Sequence, residues 1–233
     1  MIQAIGFDFD GVLVESVDIK TRAYACLFED RGPEVVRQVI DYHLAHSGIS
    51  RFEKFRTIYS DILKQELNDK RFRFLCDRFS KIVVDAVVAA PWVAGAREFL
   101  ERNFRGYRMF VVSGTPESEL REIVERRGMT RFFEAVRGSP KDKVTLLAEV
   151  ENDLNLVREK TVYVGDAKTD WDASRALGLT FLWRRSPEGT QYLEKFSGSP
   201  MIDLNQLEAR LNQVVTSGPV DLASPAENEN IRP

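Results

Sequence analysis

The chain has 233 residues, of which 43% are hydrophobic and 30% charged, and its net charge is -3. That length holds one large domain or a domain with an insertion, and the composition is ordinary for a globular protein in water. Acids and bases are interspersed, so nothing in the charge favours nucleic acid or an anionic membrane as a partner.

The basic pairs Arg126-Arg127 and Arg184-Arg185 read as solvated surface. Cys26 and Cys76 fit no metal or redox spacing and fall in helix-like stretches, so both are expected as reduced core thiols. No apolar stretch reaches the roughly 20 residues of a membrane span. The first apolar run ends in acids after a few residues, unlike a signal peptide. A cytoplasmic, reducing location is the expectation.

Residues 2–7 read as a buried strand, and the run ends in Asp8-Phe9-Asp10-Gly11. Side chains alternate along a strand, so Asp8 and Asp10 share a face. Two carboxylates so close ask for a cation, a shared proton, or both.

Residues 16–90 carry almost no strand signal. Helical periodicity covers 16–31, 34–47, 51–67 and 70–88, which predicts a helical subdomain inserted after the first strand. Glu15 and Ser16 follow the first loop, and Ser16 is expected to cap the first of these helices. His43 and His46 stand a helical turn apart, the spacing of a metal pair. No further ligand lies near them, so packing in the cap or at the surface is expected. Gly48-Ile49-Ser50-Arg51, with Lys54, reads as a loop leaning over the site, where Arg51 and Lys54 would suit an anionic substrate. A turn capped by Ser50 explains the same residues without function. The aromatic stretch at 72–79 is expected in the cap core.

Pro91-Trp92 marks the return to the main domain. A helix at 95–103 leads to a strand at 107–112, ending at Ser113-Gly114-Thr115-Pro116. Then follow a helix at 117–127, a weaker strand at 135–137 ending at Gly138-Ser139-Pro140, and a helix at 141–151. A strand at 161–164 ends at Gly165-Asp166. A helix at 170–177, a strand at 180–183, a weaker signal at 201–203 and a helix at 204–215 complete the order. Trp171 and Trp183 are expected to pack around the last strands. From Thr216 the chain is rich in Ser, Pro, Asn and Glu without periodicity, and a disordered tail over 216–233 is expected.

This alternation predicts an α/β fold, a Rossmann-like parallel sheet covered on both faces. Residues 1–15 and 91–215 would form the core domain and 16–90 an α-helical cap. Ligands of such sheets bind at the carboxyl ends of the strands, where the polar residues stand. Taken singly, each motif has a bland reading: a solvated turn, a helix N-cap, a surface lysine. They occur together and in order behind strands, which chance explains poorly.

The set Asp8-Phe9-Asp10-Gly11, Ser113-Gly114-Thr115, Gly138-Ser139-Pro140-Lys141-Asp142-Lys143 and Gly165-Asp166 through Asp170 resembles the haloacid dehalogenase superfamily. The likeness is to its magnesium-dependent phosphatase branch with a helical cap, similar to phosphoglycolate phosphatases and β-phosphoglucomutases. It covers roughly residues 2–215.

The resemblance implies that Asp8 attacks phosphorus, and that Asp10, protonated at the start, serves the leaving group and then water. Ser113 and the Gly114 amide would bind the phosphoryl group, and Gly11 would let the chain turn close to it. Lys143, or alternatively Lys141, would pair with that group and with Asp8. Mg²⁺ would be held by Asp8, Asp166 and the backbone carbonyl of Asp10, with Asp170 orienting metal-bound water or Lys143. The implied partner is a small phosphorylated metabolite, and the implied assembly a monomer or homodimer. A phosphomutase and an idle phospholigand-binding fold are the alternatives. Asp10 disfavours dehalogenation, and no pattern places a cap lysine for phosphonate cleavage.

Overall fold

The computed structural model of the chain describes residues 1–186 and 199–217. Its parallel sheet joins β1 (Ala4–Phe7), β2 (Arg108–Pro116), β3 (Ala135–Ser139), β4 (Thr161–Gly165) and β5 (Thr180–Trp183) in the order β3-β2-β1-β4-β5. Every residue of β1 and β4 is buried. This is why these strands read as continuous apolar runs, as in parallel sheets covered on both faces. Alternate residues feed two cores. Ile5, Phe7, Val111, Val162 and Val164 pack on one side, and Ala4, Phe110, Val112 and Tyr163 on the other.

Between β1 and β2 the chain forms α1 (Val17–Leu27), α2 (Pro33–Ala45), α3 (Arg51–Thr57), a π-helical turn at Ile58–Ile62, and α4 (Asp69–Ala89). Local signals start these helices. Pro33 opens α2, the Ser50 hydroxyl accepts from the Phe52 amide, and Asn68 accepts from the Arg71 amide. Their shared interior is aromatic. The Tyr24 and Phe79 rings lie 4.7 Å apart and those of Phe55 and Phe79 6.0 Å apart. This interior is continuous with the sheet's first core.

After the cap, α5 (Ala96–Asn103), α6 (Glu117–Arg126) and α9 (Leu207–Ser217) cover the first face, and α7 (Lys143–Asp153) and α8 (Lys168–Leu177) the second. Trp171 and Trp183 belong to the second core, around the last strands. Among the described residues, no helix is long and apolar enough to cross a membrane.

Several expectations are corrected. The helix expected over 51–67 ends at Ile62, because Lys64 takes a left-handed conformation (φ 51°) that no helix continues through. Strand β2 runs past Ser113 to Pro116, with its pairing to β3 shifted between those residues. Residues 201–203 form no strand; Met201 makes a single bridge to Arg184. Cys26 is exposed, so it is not a core thiol, whereas Cys76 is half-buried and packs against the core. In α1 the buried face is Ala23, Tyr24 and Leu27, and Cys26 falls off it. Phe74, in the aromatic stretch of the cap, is also exposed, whereas Phe79 is core. Thr216 and Ser217 continue α9, and the rest of the expected tail, 218–233, lies outside the described residues.

In each arginine pair one member, Arg126 or Arg185, is exposed as expected and the other is not. Arg127 donates to the carbonyls of Val87, Val88 and Ala90, where α4 ends, and its guanidinium lies 5.0 Å from the Trp92 ring centroid. Arg184 is buried, since it directly follows β5 and lies beneath the loop after β1.

Candidate active site

The carboxyl ends of β1, β2 and β4 converge on one cluster. Asp8 follows β1, Asp166 follows β4 and Asp170 stands in the first turn of α8. Each is buried, and one carboxylate oxygen from each lies within 4.8 Å of the others. The Lys143 ammonium enters from the first turn of α7, 2.9 Å from Asp8 Oδ2 and hydrogen-bonded to Asp170 Oδ1. Asp142 caps that helix by accepting from the Thr145 amide at 2.9 Å, which fixes where Lys143 begins. Lys141 is exposed and paired with Glu149.

Burial pushes the Asp8 carboxyl up to about 7; Lys143 opposes the shift, and Asp170 and Asp10 add to it. Asp166 is pushed well above the usual carboxylate range by burial and then by Asp8 and Asp170. Lys143 is pushed upward, because Asp170 and Asp8 outweigh its burial. Three buried carboxylates therefore share one ammonium. Such an oxygen-only, electron-rich set fits a hard divalent cation.

The loop after β1 is pinned from outside. Arg184 donates to the Gly11 carbonyl at 2.8 Å and pairs with Glu15 at 2.5 Å. Gly11 has φ 73°, and a Cβ there would stand 2.2 Å from Asp166 Oδ2. Only glycine lets this turn pass so close to the acids.

Asp10 has a different setting. Its carboxylate lies outside the acid cluster and is bonded by Lys20, by the Ser16 hydroxyl at 2.6 Å and by the Thr115 hydroxyl at 2.9 Å. Lys20 also donates to Thr115 Oγ1 at 2.7 Å. Burial would raise Asp10, but Lys20 and the hydroxyls outweigh it and hold the carboxyl below the usual range. This setting favours the charged form of Asp10, the opposite direction from the protonated carboxyl that the resemblance implies. Ser16 makes no cap bond to α1, since its hydroxyl is committed to Asp10. Lys20 and Thr115 stand at the site through these bonds, and the sequence assigned neither a role. Lys20 stands four residues beyond Ser16, on the same face of α1, which is the available signal. Ser113 Oγ lies 3.5 Å from Asp10 Oδ2 and accepts from the Thr115 amide at 3.2 Å.

The cap closes over these groups. A cavity of about 60 Å³ is lined by Asp8, Asp10, Ser113 and Gly114 from the core and by Lys20, His43 and Lys54 from the cap. Gly48 rests against the core with φ 82°, where a Cβ would stand 1.9 Å from Thr169 Oγ1 and 3.3 Å from Lys143 Nζ. Gly114 meets the same loop, since a Cβ there would be 2.3 Å from the Gly48 carbonyl oxygen.

Arg51 lines the cavity but grips Glu119 of α6 with both Nη atoms, at 3.1 and 2.5 Å, and Ser80 at 2.8 Å. Lys54 is buried and donates to the His43 carbonyl at 3.1 Å. The two histidines do not converge: His43 Nδ1 faces Lys54, and the exposed His46 bonds the Tyr42 carbonyl.

The sequence pattern of the haloacid dehalogenase-like hydrolases matches residues 5–184. A phosphorylated carbohydrates phosphatase of Thermotoga maritima is 24% identical over 186 residues, which cover 76% of this chain and 82% of that protein. A phosphoglycolate phosphatase of Colwellia psychrerythraea is 23% identical over 201 residues, 80% of this chain and 88% of that one. A solved β-phosphoglucomutase from Clostridium difficile shares the fold with a TM-score of 0.73 at 16% identity, over 91% of this chain and 96% of its own length. The pattern spans the acids from Asp8 to Asp170 together with the cap between the first strands, and the chain belongs to the haloacid dehalogenase-like hydrolases.

Proposed function

We propose that the protein is a Mg²⁺-dependent phosphatase that hydrolyses a small phosphorylated metabolite through an aspartyl-phosphate on Asp8. The observation that carries this reading is the Lys143 ammonium bridging Asp8 and Asp170 beside Asp166. It leaves one carboxylate positioned as nucleophile within a set suited to a divalent cation. The phosphatases of Thermotoga and Colwellia support the same chemistry.

Asp8 attacks phosphorus, and Ser113 and the Gly114 amide bind the phosphoryl oxygens, with Lys143 offsetting their charge. Asp8, Asp166 and the Asp10 carbonyl would hold the cation, while Asp170 positions Lys143. Bound there, Mg²⁺ would neutralise phosphoryl charge and draw the dianion to the carboxylate. The leaving oxygen takes the proton that Asp10 and Lys20 hold between them. Asp10 then removes a proton from the water that splits the acyl phosphate, restoring the pair.

The cap, residues 16–90, is the moving unit over a core of 1–15 and 91–215, and its closure excludes bulk water. The test is phosphate release from an aryl phosphate and a panel of phosphorylated metabolites, with Mg²⁺, with chelator, and in Asp8→Asn. Release that needs both Mg²⁺ and Asp8 is the expected result. Release unchanged in Asp8→Asn would remove the nucleophile assignment, and a bisphosphorylated product would point to a mutase.

A further inference from the structure

The cations that line the cavity are not equally satisfied. Lys20 is paired with Asp10, and Arg51 with Glu119. Lys54 is 2% exposed, and among the described residues its polar contacts are with His43 alone. Its Nζ lies 2.8 Å from His43 Nδ1 and 3.1 Å from the His43 carbonyl oxygen, and 5.8 Å from the Tyr24 ring centroid. An ammonium has three N–H bonds, so one is left over.

A histidine that accepts at Nδ1 carries its hydrogen at Nε2. His43 Nε2 is buried and makes no hydrogen bond. Nε2 lies on the opposite side of the ring from Lys54, so the group that bears on the cavity is the ammonium: a buried cation without a carboxylate is unfavourable, and an anionic group at its free N–H would relieve it.

We propose that Lys54, held in place by His43, is a subsite in the cap for a second anionic group of the substrate, a carboxylate or a second phosphate. The preferred substrates are then phosphate monoesters with another anion at the far end. This rests on the phosphatase reading for the reacting end only. Arg51 does not serve here, because its charge is spent on Glu119. The Lys54 ammonium is itself pushed down to about 7, by burial and then by Lys20, with Lys143 adding to that and Asp10 and Glu53 opposing it. Such a group gains a proton readily when an anion arrives.

The test compares three ligands by calorimetric titration of the full chain carrying Asp8→Asn, with Mg²⁺ present. They are 2-phosphoglycolate, propane-1,3-diol bisphosphate and 2-hydroxyethyl phosphate. At least one of the first two is expected to bind roughly 100-fold more tightly than the third, and which one does tells carboxylate from phosphate. Adding Lys54→Met is expected to collapse that ratio, and adding His43→Leu to reduce it if the methionine disturbs folding.

Equal or undetectable binding of all three, or a ratio that survives both variants, would overturn the subsite. Phosphate release by the unmutated chain is read separately. Binding preference without release would remove the phosphatase reading and keep the subsite, and release without preference would do the reverse.

Discussion

Asp8 and Asp10 are two residues apart and are driven in opposite directions. Burial lifts Asp8, while Lys20, Ser16 and Thr115 hold Asp10 down. This division supplies a nucleophile and a separate proton handler from one short turn. Asp8→Asn is expected to reduce phosphate release by about 10⁴-fold or more, with the fold retained by circular dichroism. Lys20→Met removes the proton held beside Asp10 and is expected to lower kcat by about 100-fold; Lys20→Arg should recover part of that loss, which a merely structural lysine would not require. Lys54 makes a third case. Its pKa falls from 10.5 in the open to about 7 in the fold, so the unfolded chain binds more protons between those values. Its burial therefore destabilises the fold fully below pH 7, and the penalty fades as pH rises towards 10. Lys54→Met should raise the melting temperature at pH 6, by a few kcal/mol in stability, and the gain should shrink at pH 9. An equal gain at both values would show that packing, not charge, is the cause.

The elements explain which residues the sequence shows and which it hides. Asp8 and Asp166 stand directly after strands, and Asp170 one turn into the following helix, so period and punctuation suffice to locate them. Lys143 is separated from Lys141 by the cap residue Asp142, which starts α7 and buries one lysine while leaving the other on the surface. Lys20, Thr115 and Arg184 gain their meaning only when α1, β2 and the end of β5 meet around the first loop, and no local pattern reports that meeting. His43 and Lys54 lie on different helices and look like ordinary cap residues until α2 and α3 pack together. The loop before α3 is the most constrained piece of the cap. Gly48 combines a left-handed backbone with a Cβ position already filled by Thr169 Oγ1. Gly48→Ala is expected to cost about 1–3 kcal/mol of stability and to lower kcat/KM at least about tenfold, because the loop must lift from Lys143. A variant with unchanged kinetics would show that this loop is not part of the closed site.

At the scale of the whole molecule, the fold describes a closed cap. The cap covers the cavity at Asp8, and a swing of the cap that admits substrate must break contacts between cap and core. The contacts that resist this are unequal. The pair between Arg126 and Asp85 is exposed, and such pairs hold weakly in water. Thr169 donates to the Ser47 carbonyl at 3.0 Å, a single neutral bond. Arg51 is 5% exposed and is held by Glu119 from across the cleft, and the Ser80 hydroxyl donates to the same carboxylate at 2.5 Å. That cluster ties α3 and α4 of the cap to α6 of the core, and opening it exposes a buried ion pair. Glu119→Gln keeps the shape but removes the charge, leaving the Arg51 guanidinium buried without an anion. The closed state should lose population, with KM raised roughly tenfold and a larger radius of gyration in solution scattering. A null control is available, because Asp85→Asn breaks only the exposed pair and should move neither quantity. If Glu119→Gln also leaves both unchanged, closure is carried by the apolar packing that is continuous between cap and core rather than by the arginine.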